Sequence, residues 1–246
     1  MKMYDGHSHL GTTSSGECNN VKQLVEEMLA HNITKIGISS LSGSSNEKQN
    51  ELVYEAMKSY PENIVGYAFI NPKSETAIED IKLNVLERGM RGVKLMPWKH
   101  GYIADNTPQI YDVLKYCDEI GVHIQVHVGT TPLTTPYPWI RYAKMFPNLR
   151  FVFTHMGSRE FGIQTLDAVK DLENVWLETS VQYHSEVLYK ARDIVGSKRI
   201  VFGVDWPYKP IKTEIHKIYL MGFNELELED VFYKNIEQLW ELRKGG

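Results

Sequence analysis

Cysteine is scarce in this chain: Cys18 and Cys117 are the two among 246 residues, far apart and in no Cys-x-x-Cys pair. A disulfide framework of the kind that staples small secreted domains is thereby excluded, and reduced thiols in a cytoplasmic protein are expected. Long apolar runs are missing too. No stretch approaches the roughly 20 apolar residues that span a bilayer, and the start, Met1 to His7, lacks the apolar segment of a signal peptide. Basic excess is absent, since the net charge is -4 and the pI about 6.1, so nothing favours nucleic acid, which is held by clustered Lys and Arg. No linker, low-complexity stretch or internal repeat interrupts the chain. One domain over residues 1–246 is expected, with small neutral or anionic metabolites as partners.

What is present is alternation. Segments rich in Val, Ile, Phe and Tyr recur at Met3 to His9, Ile33 to Ser40, Asn63 to Asn71, Met90 to Pro97, Val122 to Gly129, Leu149 to Gly157, Asn174 to Ser180 and Arg199 to Pro207. Longer stretches with helical spacing of apolar residues separate them. Asn20 is placed to cap a helix with a stripe of Val21, Leu24, Val25, Met28 and Leu29. Ser74 precedes a stripe of Ala77, Ile78, Ile81, Val85 and Leu86, and Thr107-Pro108 precedes Ile110, Val113, Leu114 and Cys117. Gly89, Gly121 and Gly196 stand where left-handed helix ends are expected. Eight strand-helix units imply parallel pairing through right-handed crossovers, and at this length they close most simply into an α/β fold of the (β/α)8 TIM-barrel class. The alternative, a doubly wound sheet, is weakened because no Gly-rich phosphate loop follows the first strand.

Active sites of such barrels lie at the C-terminal ends of the strands. Those ends carry His7 and His9 on the first strand, His127 on the fifth, His155 on the sixth and Asp205 on the eighth. Residues two apart share a face of a strand, so His7 and His9 point the same way, as do His123, Gln125 and His127. A lone histidine at a strand end is more often a hydrogen-bonded structural group. Four histidines and an aspartate at the ends of four strands, out of nine histidines in all, argue for a metal site, and nitrogen with carboxylate donors suits zinc or another first-row ion. His31, His100, His184 and His216 fall on helices or loops, with His100 and His184 near enough to strand ends to rim a pocket.

Tyr4-Asp5-Gly6-His7-Ser8-His9-Leu10, Gly92-Val93-Lys94-Leu95, His127, Thr154-His155-Met156-Gly157 and Gly203-Val204-Asp205-Trp206-Pro207-Tyr208 together resemble the amidohydrolase superfamily, in particular its amidohydrolase-2 group of TIM-barrel metal-dependent hydrolases and decarboxylases. The closing Tyr233-Lys234-Asn235-Ile236-Glu237-Gln238-Leu239 is similar to that group's last helix. The resemblance implies one divalent ion per chain, zinc first, held by His7, His9, His127 and Asp205, with Asp205 and His155 as catalytic proton carriers. It implies hydrolysis of a small carbonyl substrate (lactone, amide or ester) by metal-activated water. The alternative is non-oxidative decarboxylation of a small unsaturated or aromatic acid. Lys94 is a candidate to bind a substrate anion, to bridge two metals when carboxylated, or to form an internal salt bridge. Glu178 is a candidate to orient a ligand histidine. Arg159 suits a substrate carboxylate, and Trp98, Trp206 and Tyr208 are candidate pocket walls.

Two other readings compete. A TatD-like nuclease shares the His-x-His start but is disfavoured by Lys94, where those proteins place a carboxylate, and by the acidic pI. A non-catalytic metal-binding protein would close its metal with protein ligands, whereas a catalytic site leaves a place open. Connecting segments leave little room for a lid, so an open pocket completed by a second subunit, in a homo-oligomer, is expected.

Overall fold

The computed structural model describes residues 1–13, 15–41, 43 and 45–243, and of Arg159 the backbone alone. Nine strands form one sheet: β1 (Met3–Thr12), β2 (Cys18–Asn19), β3 (Ile33–Ser40), β4 (Ile64–Phe69), β5 (Gly92–Leu95), β6 (His123–His127), β7 (Phe151–Thr154), β8 (Val175–Glu178) and β9 (Ile200–Val201). All pair in parallel except β2, which returns antiparallel on the end of β1 (Gly11↔Asn19, Thr12↔Cys18). The eight expected strands are thus β1 and β3 to β9. The short β2 escapes sequence reading because two residues carry no periodicity.

The sheet curls until its ends meet. Gly6 N–H donates to Phe202 O at 3.0 Å, Asp205 N–H to His7 O at 2.6 Å and His9 N–H to Trp206 O at 3.0 Å. Buried Asp5 stitches this seam: its Oδ1 accepts from the backbone of His7 (3.0 Å) and Val204 (2.9 Å), and its Oδ2 accepts from Ser8 Oγ. Burial pushes the Asp5 carboxyl up to about 7. Regular pairing of the last strand ends at Val201, short of the expected Pro207, because residues 202–206 bond across this seam and Asp205 adopts φ 60°. The chain is an α/β TIM barrel.

Helices flank the strands: α1 (Val21–Leu29), α2 (Asn46–Ser59), α3 (Ala77–Ile81), α4 (Pro97–His100), α5 (Gln109–Glu119), α6 (Tyr137–Met145), α7 (Ser158–Val169), α8 (Ser185–Val195), α9 (Ile211–Leu220), α10 (Glu225–Glu229) and α11 (Asn235–Trp240). Asn20 caps α1 by accepting from Gln23 N–H at 2.9 Å, and Leu24, Val25 and Met28 are buried. Leu29, at the edge of that stripe, is exposed. α3 runs into a π-helical turn over Lys82–Glu87, whose wider pitch keeps Val85 inside but rotates Leu86 outward, against the expected stripe. At the barrel bottom, α11 sets Trp240, Leu239 and Ile236 against Tyr4, Tyr67, Val152 and Val201. No helix among the described residues is long and apolar enough to cross a membrane.

The barrel interior is polar through its middle. Trp240 Nε1–H donates to Tyr67 Oη (2.8 Å), Tyr67 Oη–H to Gly6 O (3.1 Å), and Gln125 Nε2–H to the same carbonyl (2.8 Å). Gln125 Oε1 then accepts from Lys94 Nζ at 3.2 Å. A buried amide and ammonium are tolerable only with such partners. The column also fixes what alternation left open, that Lys94 points inward.

Candidate metal centre

At the top of that column three donor atoms converge. His7 Nε2, His9 Nε2 and Asp205 Oδ1 lie within 4.8 Å of one another, with Oδ1 at 3.2 Å from His9 Nε2 and 4.0 Å from His7 Nε2. The far nitrogens of both rings are held: His7 Nδ1 by Glu178 Oε2 at 2.8 Å, and His9 Nδ1 by Ser39 Oγ at 3.1 Å. That pinning orients each Nε2 toward the shared point, as hydrogen bonds behind a ligating imidazole do. A second group, His7, His155 and Glu178, shares His7.

Glu178, fully buried at the end of β8, is the hub. Its carboxylate accepts from His7 Nδ1–H, from the backbone N–H of His155 (3.2 Å) and from both the backbone N–H and the hydroxyl of Ser180. Gly203 makes room for it, since a Cβ there would lie 2.1 Å from Glu178 Oε1. Four strained residues surround the hub: His155 (φ 64°), Met156 (φ 48°), Val181 (φ 65°) and Asp205 (φ 60°). Positive φ at non-glycine residues is costly and tends to collect where a fold positions chemistry.

His155 reaches Ser180 Oγ at 3.0 Å through Nδ1 and His127 Nδ1 at 3.3 Å through Nε2. His127 places its own Nε2 on Thr130 Oγ1 at 2.6 Å, so it faces the cavity and His155 but is not gathered with His7, His9 and Asp205. Lys94 Nζ stands 3.0 Å from His7 Nε2. Burial lowers the His7, His127 and His155 imidazoles, His9 falls to about 3, and Lys94 falls to about 7, in each case chiefly by desolvation of the cation. Desolvation pushes Asp205 up to about 6. Neutral imidazoles beside a carboxylate are the protonation states that a divalent first-row ion requires, so the donor set fits one.

A cavity of about 340 Å³ opens over the cluster, lined by His9, His127, His155 and Asp205 and by Trp98 and Tyr208 among others. Trp206 is placed elsewhere: its indole is buried and donates to Glu27 Oε2 of α1 at 2.7 Å. The Arg159 side chain lies outside the described residues. His100 is buried against Phe69, and His184 is exposed at the start of α8. Gln125 shares the His127 face as alternation places it, but its part in the column is not legible from sequence, and neither Ser39 nor Ser180 is a sequence candidate. Alternation could find Ser180, which is two residues from Glu178.

A family model described as Amidohydrolase matches residues 38–242. No curated protein sequence matches the chain. Among solved structures, an uncharacterized TIM-barrel protein from Bordetella bronchiseptica superposes with a TM-score of 0.76 at 20% identity, over 89% of this chain and 82% of that one. A dihydroxybenzoic acid decarboxylase from a Polaromonas species, with bound manganese and the inhibitor 2-nitroresorcinol, gives 0.78 at 16% identity, over 97% and 96%. A probable 2-pyrone-4,6-dicarboxylic acid hydrolase from Acinetobacter baumannii, with citric acid bound, gives 0.74 at 17% identity, over 98% and 99%. At these identities the likeness speaks to fold, while the matched family model spans most of the sequence: the chain belongs to the amidohydrolase family.

Proposed function

We propose that this protein is a metal-dependent hydrolase that opens a small lactone, amide or ester, with one divalent ion, zinc first, held by His7, His9 and Asp205 and completed by His127. The observation that carries the reading is the convergence of His7 Nε2, His9 Nε2 and Asp205 Oδ1 within 4.8 Å, beneath a cavity and with both far nitrogens pinned. When bound, such an ion supplies Lewis acidity, polarising a carbonyl or carboxylate oxygen and acidifying water. Asp205, at the cavity wall beside His9, is the carboxylate placed to take a proton from the attacking water and return it to the leaving group. His155, neutral and oriented by donating Nδ1–H to Ser180 O, turns its bare Nε2 toward His127, where it can accept a proton from the attacking water. Trp98 and Tyr208 wall the cavity against water. Lys94, anchored on Gln125, lies fully buried 3.0 Å from His7 Nε2 and outside the cavity lining, so it supports the His7 ring from below.

A second reading, decarboxylation of an aromatic or unsaturated acid, is favoured by the decarboxylase among the structural neighbours. There Asp205 or His155 would deliver the proton to the carbon that loses carbon dioxide. The test is a screen of lactones, amides and aromatic or muconate-type acids with zinc- and manganese-loaded protein, following new carboxylate and carbon dioxide separately. Carboxylate formation abolished by Asp205→Asn supports hydrolysis. Carbon dioxide release alone transfers the assignment to the second reading, and turnover indifferent to Asp205→Asn and His155→Asn overturns both.

A further inference from the structure

Thr130 lines the cavity and touches His127, yet no role has fallen to it so far. It belongs to a short loop after β6 that is built around Thr134. The buried Thr134 Oγ1 accepts from the backbone N–H of Thr130 (3.2 Å) and of Thr131 (2.9 Å), and its hydroxyl donates to Thr131 O at 2.9 Å. Gly129 N–H closes the loop on Thr134 O at 2.8 Å. Gly129 (φ 94°) also lies hard against the turn that carries His155, since a Cβ there would meet Gly157 C at 2.1 Å and Ser158 N at 2.6 Å. The loop therefore sets two things at once. It brings the His127 and His155 rings to 4.8 Å between centroids, and it places Thr130 Oγ1 at 2.6 Å from His127 Nε2.

The protons along this chain of contacts follow from the groups that can only accept. Glu178 takes the hydroxyl proton of Ser180 at 2.9 Å, and Ser180 O is a carbonyl. His155 Nδ1, at 3.0 Å from that hydroxyl oxygen and 3.2 Å from that carbonyl, must therefore carry hydrogen. Burial keeps both imidazoles neutral, with one proton each. His155 Nε2 is then bare, and its partner at 3.3 Å, His127 Nδ1, must donate to it. His127 Nε2 is bare in turn, so the proton in its short contact with Thr130 is the hydroxyl's. We infer that Thr130 is the positioning residue of the His127–His155 pair: its hydroxyl donates to His127 Nε2 and so holds the His127 ring proton on Nδ1, aimed at His155 Nε2. The inference rests on the reading of His155 Nε2 as the nitrogen that takes a proton from water, a lone pair that His127 Nδ1–H holds in place until water arrives. Without the hydroxyl, the His127 proton is free to settle on Nε2. Two buried acceptors then face each other with no donor between them, an unfavourable contact that parts the rings and costs His155 one of the two hydrogen bonds that orient it.

Nitrogen-15 NMR of the histidine-labelled full chain tests this, on protein stripped by chelator so that the result does not depend on an ion. Loss of signals in His127→Asn assigns that ring. The wild type is expected to carry the His127 proton on Nδ1, with Nε2 unprotonated. Thr130→Val, which keeps the shape and removes the hydroxyl, loses that single form, and Thr130→Ser restores it. With a substrate found in the screen, Thr130→Val lowers kcat about tenfold or more with KM little changed, and Thr130→Ser recovers most of the loss. A wild type with the His127 proton on Nε2, or a valine variant whose His127 signals match the wild type, overturns the inference. So does a valine variant of unchanged kcat where His155→Asn abolishes turnover, or a serine variant as impaired as the valine one. Failure of the His155 reading would appear separately, as the expected NMR result alongside turnover indifferent to His155→Asn.

Discussion

Glu178 shows how one residue organises the rest. Its buried carboxylate collects hydrogen bonds from His7, His155 and Ser180 at once, and so fixes the His7 ring and the turn that carries His155. Glu178→Gln keeps the shape but removes the charge that favours Nδ1–H on His7. The substitution should weaken divalent-metal affinity by about 10- to 100-fold, measured by competition with a chromophoric chelator, and an unchanged affinity contradicts the orienting role. At this scale the sequence was informative wherever a ligand-type side chain sat at a strand end, which is why His7, His9, His155 and Asp205 could be named. Ser39 and Ser180 escaped because serine at a strand end has no distinctive chemistry until a ring nitrogen faces it. Trp206 went elsewhere because alternation stops at Asp205, whose φ of 60° breaks the extended chain and sends the following side chain toward Glu27.

Between elements, α9 is tied to the end of β8 by Lys217, which is paired with Glu214 inside the helix. Lys217 Nζ donates to Thr179 O at 2.6 Å and to Glu214, which also accepts from Tyr183 Oη–H. This clamp holds the segment just before Ser180, the residue that orients His155. Lys217→Met leaves Glu214 buried without its counterion and should cost about 3–5 kcal/mol, read from urea unfolding at pH 7. A loss under about 1 kcal/mol contradicts the clamp. Strands and caps were legible because apolar periodicity, Asn20 and the glycines at 89, 121 and 196 (φ 79°, 70° and 74°) act locally. The seam that ends β9 early is set by contacts distant in sequence, so no local pattern announced it, and the two-residue β2 is too short to carry a periodicity.

Across the whole molecule, a seam buttressed by Asp5, a polar column from Trp240 to Lys94 and a plug formed by α11 bring strands distant in sequence to one mouth. The account's central claim is that this mouth holds a divalent ion on His7, His9 and Asp205. Metal analysis of zinc-loaded, extensively dialysed protein tests it most directly, comparing the wild type with His9→Ala/Asp205→Ala. The account predicts about one tightly held ion per chain in the wild type and close to none in the variant, with circular dichroism showing that both are folded. A wild-type chain that returns empty, or a variant that loads as fully, contradicts it.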